Sequence, residues 1–309
     1  MIDVALVRNQ RTHLAQGAVV RADHIEAPID LGRDLWLGRL DHDLTNQVRG
    51  ACMPPGLHYP LHHGWGFIYS IFRTNAPQNP NSIYQWDPDH RLSLAIRLSR
   101  LVHPTSISYE FTARVADPPE VSTRWIAPSH ITGWGTKAHV LDTDADYLTV
   151  DNALVLRQLL AVYDHATTSE RLKSALFYFE MVALTQWVEL RWVTLTTACE
   201  SLIHVDGERD PNNPARYAGS TYVFVRRMAL LTTLVDGAPI PDDDLREMYR
   251  QRSALAHGLD FTGMTPEARR LYGNQESALR RILLKAVLEP AFAALFVTDP
   301  SIQTVLPLV

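Results

Sequence analysis

Hydrophobic and polar positions alternate along this chain with two different periods. Up to about residue 145 the clear signals have a period of two. Ile107, Tyr109, Phe111, Ala113 and Val115 alternate with Ser108, Glu110, Thr112 and Arg114, which predicts a strand with one buried face. Residues 4–7 and 66–72 predict two more strands, the second set between turn residues, and 125–126 and 139–141 are further candidates. Between them, Leu92, Leu94, Ala95, Leu98 and Leu101 follow Asp87-Pro-Asp89 at helical spacing until Pro104 stops the helix. Residues 31–40 mix Trp36 and leucines with charges in no clean period. Residues 1–145 are therefore expected to form an α+β domain, β-rich and built on a mixed sheet, and nothing in them assigns an activity.

From Asp151 onward the period is 3.6. A first helix is predicted over 151–165, with Val155, Leu159 and Val162 on one side. A second opens after Thr168 and Ser169 and runs without a break, Met181, Leu184, Val188, Trp192, Leu195, Cys199 and Leu202 forming one seam. The Pro- and Asn-rich stretch 207–214 ends it. Tyr217, Phe224, Met228, Leu231 and Val235 predict a third helix, and Thr265-Pro266-Glu267 opens a fifth that runs towards Pro290. Short loops between amphipathic helices predict an all-α antiparallel bundle over 146–309.

The fourth helix carries the candidate chemistry. It is predicted to start with Pro241 in its first position and Asp242, Asp243 and Asp244 in its first turn, where the macrodipole favours negative charge. Gly258 supplies the stop. Leu245, Met248, Tyr249, Leu255, Ala256 and Leu259 make its apolar stripe, and Arg252 falls in the middle of it. A guanidinium on such a stripe needs a partner: an internal carboxylate, or a ligand. Glu200, at the edge of the seam of the second helix, is the candidate carboxylate.

The combination Tyr249-x-x-Arg252-Ser253-x-x-x-His257-Gly258 resembles the signature of the HEPN superfamily, and most closely its Apea-like branch. The stretch Ala198-Cys199-Glu200-Ser201-Leu202 is similar to the end of that branch's long helix. The resemblance covers the C-terminal half. It implies a metal-independent endoribonuclease in which a ribose 2′-hydroxyl attacks the adjacent phosphate, leaving a 2′,3′-cyclic phosphate and a 5′-hydroxyl. His257 would then act as general acid or base and Arg252 as phosphate clamp, with Ser253 and Tyr249 as orienting groups. Arg250 also satisfies the loose spacing and shares a face with Ser253 and His257, so it stands as a supporting candidate. Family members bring two motifs to one cleft by dimerising, so RNA and a second copy of the chain are the expected partners, with no cofactor. Phage defence or a stress response is the setting implied. Serine after the arginine departs from the residues common in the best-supported nucleases. An inactive HEPN-like dimerisation or RNA-binding scaffold is therefore the second expectation.

Composition narrows this picture only slightly. The chain has 309 residues, 46% hydrophobic and 20% charged, the balance of an ordinary globular protein, and 309 residues favours two domains over one. A net charge of −5 argues against a general nucleic-acid coat but not against a local basic site. The arginines of the C-terminal half, among them Arg216, Arg226, Arg227, Arg269, Arg270, Arg280 and Arg281, read for the most part as solvated helix faces. Two cysteines, Cys52 and Cys199, without zinc or disulfide spacing, lead to the expectation of a reduced, cytoplasmic protein. No apolar run reaches the roughly 18 residues of a membrane span. His58, His62 and His63 lie in a Pro- and Gly-rich stretch that does not set imidazoles on one face, so no metal site is expected from them.

Overall fold

The computed structural model describes residues 2–8, 29–32, 35–38, 67–73, 91–103, 108–116, 125–131, 148–166, 168–185, 187–258 and 265–308. The chain divides into two compact units, Met1–Ala161 and Val162–Val309, an N-terminal β-rich region followed by a largely α-helical one. The division falls later than residue 145, inside the helix Val150–Ala166.

The first unit is built on β1 (Ile2–Arg8), β2 (Ile29–Gly32), β3 (Leu35–Gly38), β4 (Phe67–Arg73), β5 (Ser108–Ala116) and β6 (Trp125–Ile131). They form one sheet in the order β2-β3-β4-β1-β5-β6, and every pairing is antiparallel. This corrects the expected mixed sheet. The helix α1 (Arg91–Val102) does connect two strands that run the same way, β4 and β5, as a crossover should. But β1 is inserted between them, Val4 standing opposite Phe72 on one side and Ala113 on the other, so no parallel pair forms. Ala95, Leu98 and Leu101 are buried apolar positions of α1, with Ser99 and Arg100 buried beside them, and the helix packs on β4 and β1. Pro128 is tolerated within β6 because β6 is an edge strand, where one side of the ladder needs no donor. The strands β2 and β3 went unpredicted; their Leu31, Leu35 and Leu37 are fully buried, but four-residue strands are too short to show a period. The candidate strand 139–141 lies outside the described residues.

The helix α2 (Val150–Ala166) opens on a reciprocal cap, Thr149 Oγ1 accepting from the Asn152 amide and Asn152 Oδ1 from the Thr149 amide. The single long helix expected next is two. α3 (Glu170–Leu184) ends at Thr185, Thr185 and Trp187 are extended, and α4 (Val188–Ile203) returns antiparallel along it. No Gly or Pro marks this turn. Instead the Thr185 hydroxyl bonds back to the Met181 carbonyl at 2.6 Å, and the Arg191 guanidinium donates to the Thr185 carbonyl. Both halves kept the same 3.6 period through the turn, which is why the pattern read as continuous.

Ser169 caps α3 as expected, accepting the Leu172 amide at 3.3 Å while its own hydroxyl donates to the Phe296 carbonyl at 2.8 Å, all of it buried. Ser169→Ala therefore removes a helix cap and strands a buried carbonyl. It is expected to lower stability by about 1–2 kcal/mol in urea unfolding. An unmoved midpoint would show that neither bond contributes.

After α4 the turn-rich stretch forms a small hairpin, β7 (Arg209–Asp210) and β8 (Asn213–Tyr217). Tyr217 belongs to β8 and not to the third helix, its ring covered by the Arg209 guanidinium at 4.1 Å. Then follow α5 (Ser220–Asp236), α6 (Asp242–Ala256) and α7 (Pro266–Leu288), the last capped by Thr265 as predicted. Short turns α8 (Pro290–Ala293) and α9 (Asp299–Val305) close the described chain. The core centres on Trp192, fully buried edge-on to Tyr272 at 5.9 Å. Its indole N–H donates to Gln275 Oε1, and Gln275 Nε2 donates to Thr196 Oγ1, so the buried amide is satisfied on both sides.

Candidate functional site

The helix α6 forms for the reasons its sequence gives, displaced by one position: Pro241 is the N-cap, and Asp242, Asp243 and Asp244 are the first turn. Leu245 and Met248 are fully buried and Tyr249 nearly so, while Leu255 is half-buried and Ala256 exposed. Leu259 lies outside the described residues. The helix stays regular to Ala256, His257 is the C-cap, and Gly258 at φ 69° takes the left-handed turn that follows.

Arg252 finds the partner expected for it. Its Nη2 stands 2.9 Å from Glu200 Oε2 on α4, and Tyr249 donates its phenol to Glu200 Oε1 at 2.9 Å. The result is a line of three groups from two helices: Tyr249, Glu200 and Arg252. Burial, then the neighbouring Glu200 carboxylate, raise the Tyr249 phenol above its ordinary value, so it remains a donor. The Arg252 and Glu200 side chains each keep 25% of their surface exposed. The pair is thus neither sealed nor free. Arg252 Nε is buried without a partner among the described residues. The guanidinium also lies 5.6 Å from the Tyr249 ring, which fixes its plane from a second direction.

His257 is placed differently. It is exposed, its backbone N–H donates to the Ser253 carbonyl at 3.1 Å, and its ring has no partner among the described residues. It stands five positions after Arg252, which at 100° per residue puts the two side chains about 140° apart around the axis. Ser253 is half-buried one turn before His257. Arg250 shares that side but is exposed and held by Glu247 at 2.6 Å, and its guanidinium keeps the Glu247 carboxyl below the usual range. The six candidates thus form one assembled group, Glu200, Tyr249 and Arg252, and a second, looser face with Arg250, Ser253 and His257.

Two features escaped the sequence reading. An open cleft of about 510 Å³ lies where the α3–α4 hairpin meets the start of α5, and Glu200 is part of its wall. Its lining comes from three separate stretches, 170–178, 197–204 and 220–224, which leaves no local motif. Arg227, read among the solvated arginines, is fully buried on α5 between Phe224, Met228 and Leu231. An arginine on an apolar stripe was the available signal, the same one that singled out Arg252. Cys199 is buried and its thiol pushed up to about 12 by burial, so it is not a nucleophile.

Among the described residues no group of three or more His, Cys, Asp or Glu could hold a metal ion, and no helix is long and apolar enough to cross a membrane. His58, His62 and His63 lie outside the described residues. Compared with protein-family models, with curated proteins and with solved structures, the chain matches none of them.

Proposed function

We propose that the helical unit is a metal-independent endoribonuclease of the HEPN type, close to the Apea-like branch, acting on RNA as a homodimer in phage defence or a stress response. The observation that carries this reading is the state of Arg252. A carboxylate and a phenol hold it in place, yet it stays partly exposed and commits only one of its five N–H donors to Glu200. Such a group is preorganised to receive phosphate oxygens, which is where a fixed cation contributes most to phosphoryl transfer. His257, exposed at the end of the same helix, supplies an imidazole that can take or give a proton. The 140° separation is met if Arg252 of one copy and His257 of another face the same phosphate.

The same separation favours a second reading, a HEPN-like scaffold that binds RNA or pairs with itself without turnover. In that reading the Arg252–Glu200 pair is an internal ion pair and nothing more.

Incubating the full chain with a labelled structured-RNA pool in excess EDTA separates them. The nuclease cuts under these conditions and leaves 2′,3′-cyclic phosphate and 5′-hydroxyl ends. Folded, dimeric protein that leaves the pool intact, or cutting that stops with EDTA, would sink the ribonuclease reading.

A further inference from the structure

The cleft beside Glu200 has a lopsided hydrogen-bonding inventory. Thr197 has spent its hydroxyl proton on the Val193 carbonyl at 2.9 Å, and Ser201 has spent its own on the Thr197 carbonyl at 2.8 Å. Both therefore present only lone pairs to the space between α3 and α4. Glu200 holds one partner on each carboxylate oxygen, Tyr249 on one and Arg252 on the other. A carboxylate accepts at about four positions, so about two remain. The one arginine on the wall, Arg171, is already committed to the Ser201 and His204 carbonyls and to Asp299. The hydroxyls of Ser174 and Tyr178 have no partner among the described residues and can turn either way. An acceptor-rich wall requires a donor-rich ligand.

Charge and shape narrow the ligand further. An ammonium or guanidinium placed against Glu200 would stand beside Arg252, which already offsets that carboxylate, so a cation gains little there. A neutral group with paired N–H donors meets no such repulsion. Tyr178, half-buried on the wall, contributes flat apolar surface, while Phe224 is fully buried with its ring packed on Tyr249 at 5.0 Å. The volume, about 510 Å³, is in the range of small-molecule sites. A flat, neutral ring with two adjacent N–H donors on one edge describes guanine, whose N1–H and 2-amino group suit a carboxylate.

We propose that this cleft is a guanine-binding subsite, with Glu200 reading the N1–H and 2-amino edge and the half-buried Tyr178 lying against the ring. It rests on the ribonuclease reading for the source of the base, a guanosine of the RNA, while binding itself does not require cleavage.

The test is calorimetric titration of the full chain carrying His257→Ala with guanosine, inosine and adenosine 5′-monophosphates and with spermidine. Guanosine monophosphate should bind saturably, with inosine monophosphate weaker by about tenfold for loss of the 2-amino contact. Glu200→Gln should abolish the preference for guanine, and Ser174→Phe, which fills the cleft, should abolish binding. If Glu200→Gln fails to fold, Ser174→Phe decides alone. Equal binding of all three nucleotides, tighter binding of spermidine, binding unaffected by Ser174→Phe, or no saturable binding would each overturn the proposal. Binding of guanosine monophosphate by a chain that never cuts RNA would remove the ribonuclease reading and keep the subsite. Cutting without such binding would do the reverse.

Discussion

Arg227→Ala should lower the stability of the full chain by about 3–5 kcal/mol, as much as truncating a large core side chain. The side chain is 0% exposed, and each nitrogen of its guanidinium is used. Nε donates to the Leu306 carbonyl at 2.9 Å, Nη1 to the Ile203 carbonyl at 2.8 Å, and Nη2 to Glu208 Oε1 at 2.6 Å. One residue of α5 thereby ties the end of α4, the start of the β7–β8 hairpin and the last described turn of the chain. Truncation leaves a carboxylate only 13% exposed and two carbonyls without their donor, and such orphaned groups carry most of the cost. Arg227→Lys should recover little, because one ammonium cannot reach three acceptors arranged for a planar fork. The measurement is urea unfolding followed by far-ultraviolet circular dichroism. A loss under about 1 kcal/mol for Arg227→Ala would mean that the buried ion pair costs as much to desolvate as it returns.

Arg227 and Arg252 show where sequence reading works and where it stops. Both sit on apolar helix stripes, so both could be marked as needing a partner. Neither partner follows from spacing. Glu208 lies in a turn whose position depends on the hairpin after it, and Glu200 is reached only because α4 packs on α6. The helices themselves were legible wherever caps marked them: Ser169, Thr265 and Gly258 all stand where they were expected. The turn at Thr185 was not, because it is made by a side-chain hydroxyl and an arginine six residues on, with no break in the apolar period. In the first unit the period of two identified single strands but not their order. Inserting β1 between β4 and β5 is a long-range choice, and it alone turned the sheet from mixed to antiparallel.

The same geometry fixes what the proposed nuclease must do when two crippled chains are mixed. Arg252→Ala and His257→Ala should each reduce RNA cleavage by at least about a hundredfold, since one removes the phosphate clamp and the other the proton carrier. In a single chain the regular α6 helix holds these side chains about 140° apart, so neither can complete the other's site. A symmetric dimer changes the outcome. When the two variants are unfolded together and refolded at equal amounts, half of the dimers carry one chain of each kind, and each of those has one complete site of two. About a quarter of wild-type cleavage should return. Recovery would place Arg252 of one copy opposite His257 of its partner, and it would explain why the Arg252–Glu200 pair stays partly open instead of closing into the core. Mixed dimers as inactive as their parents would mean that the two residues do not meet across an interface. Since α6 also keeps them apart within a chain, the motif would then have no site to form, and the exposed histidine would be no more than a helix cap.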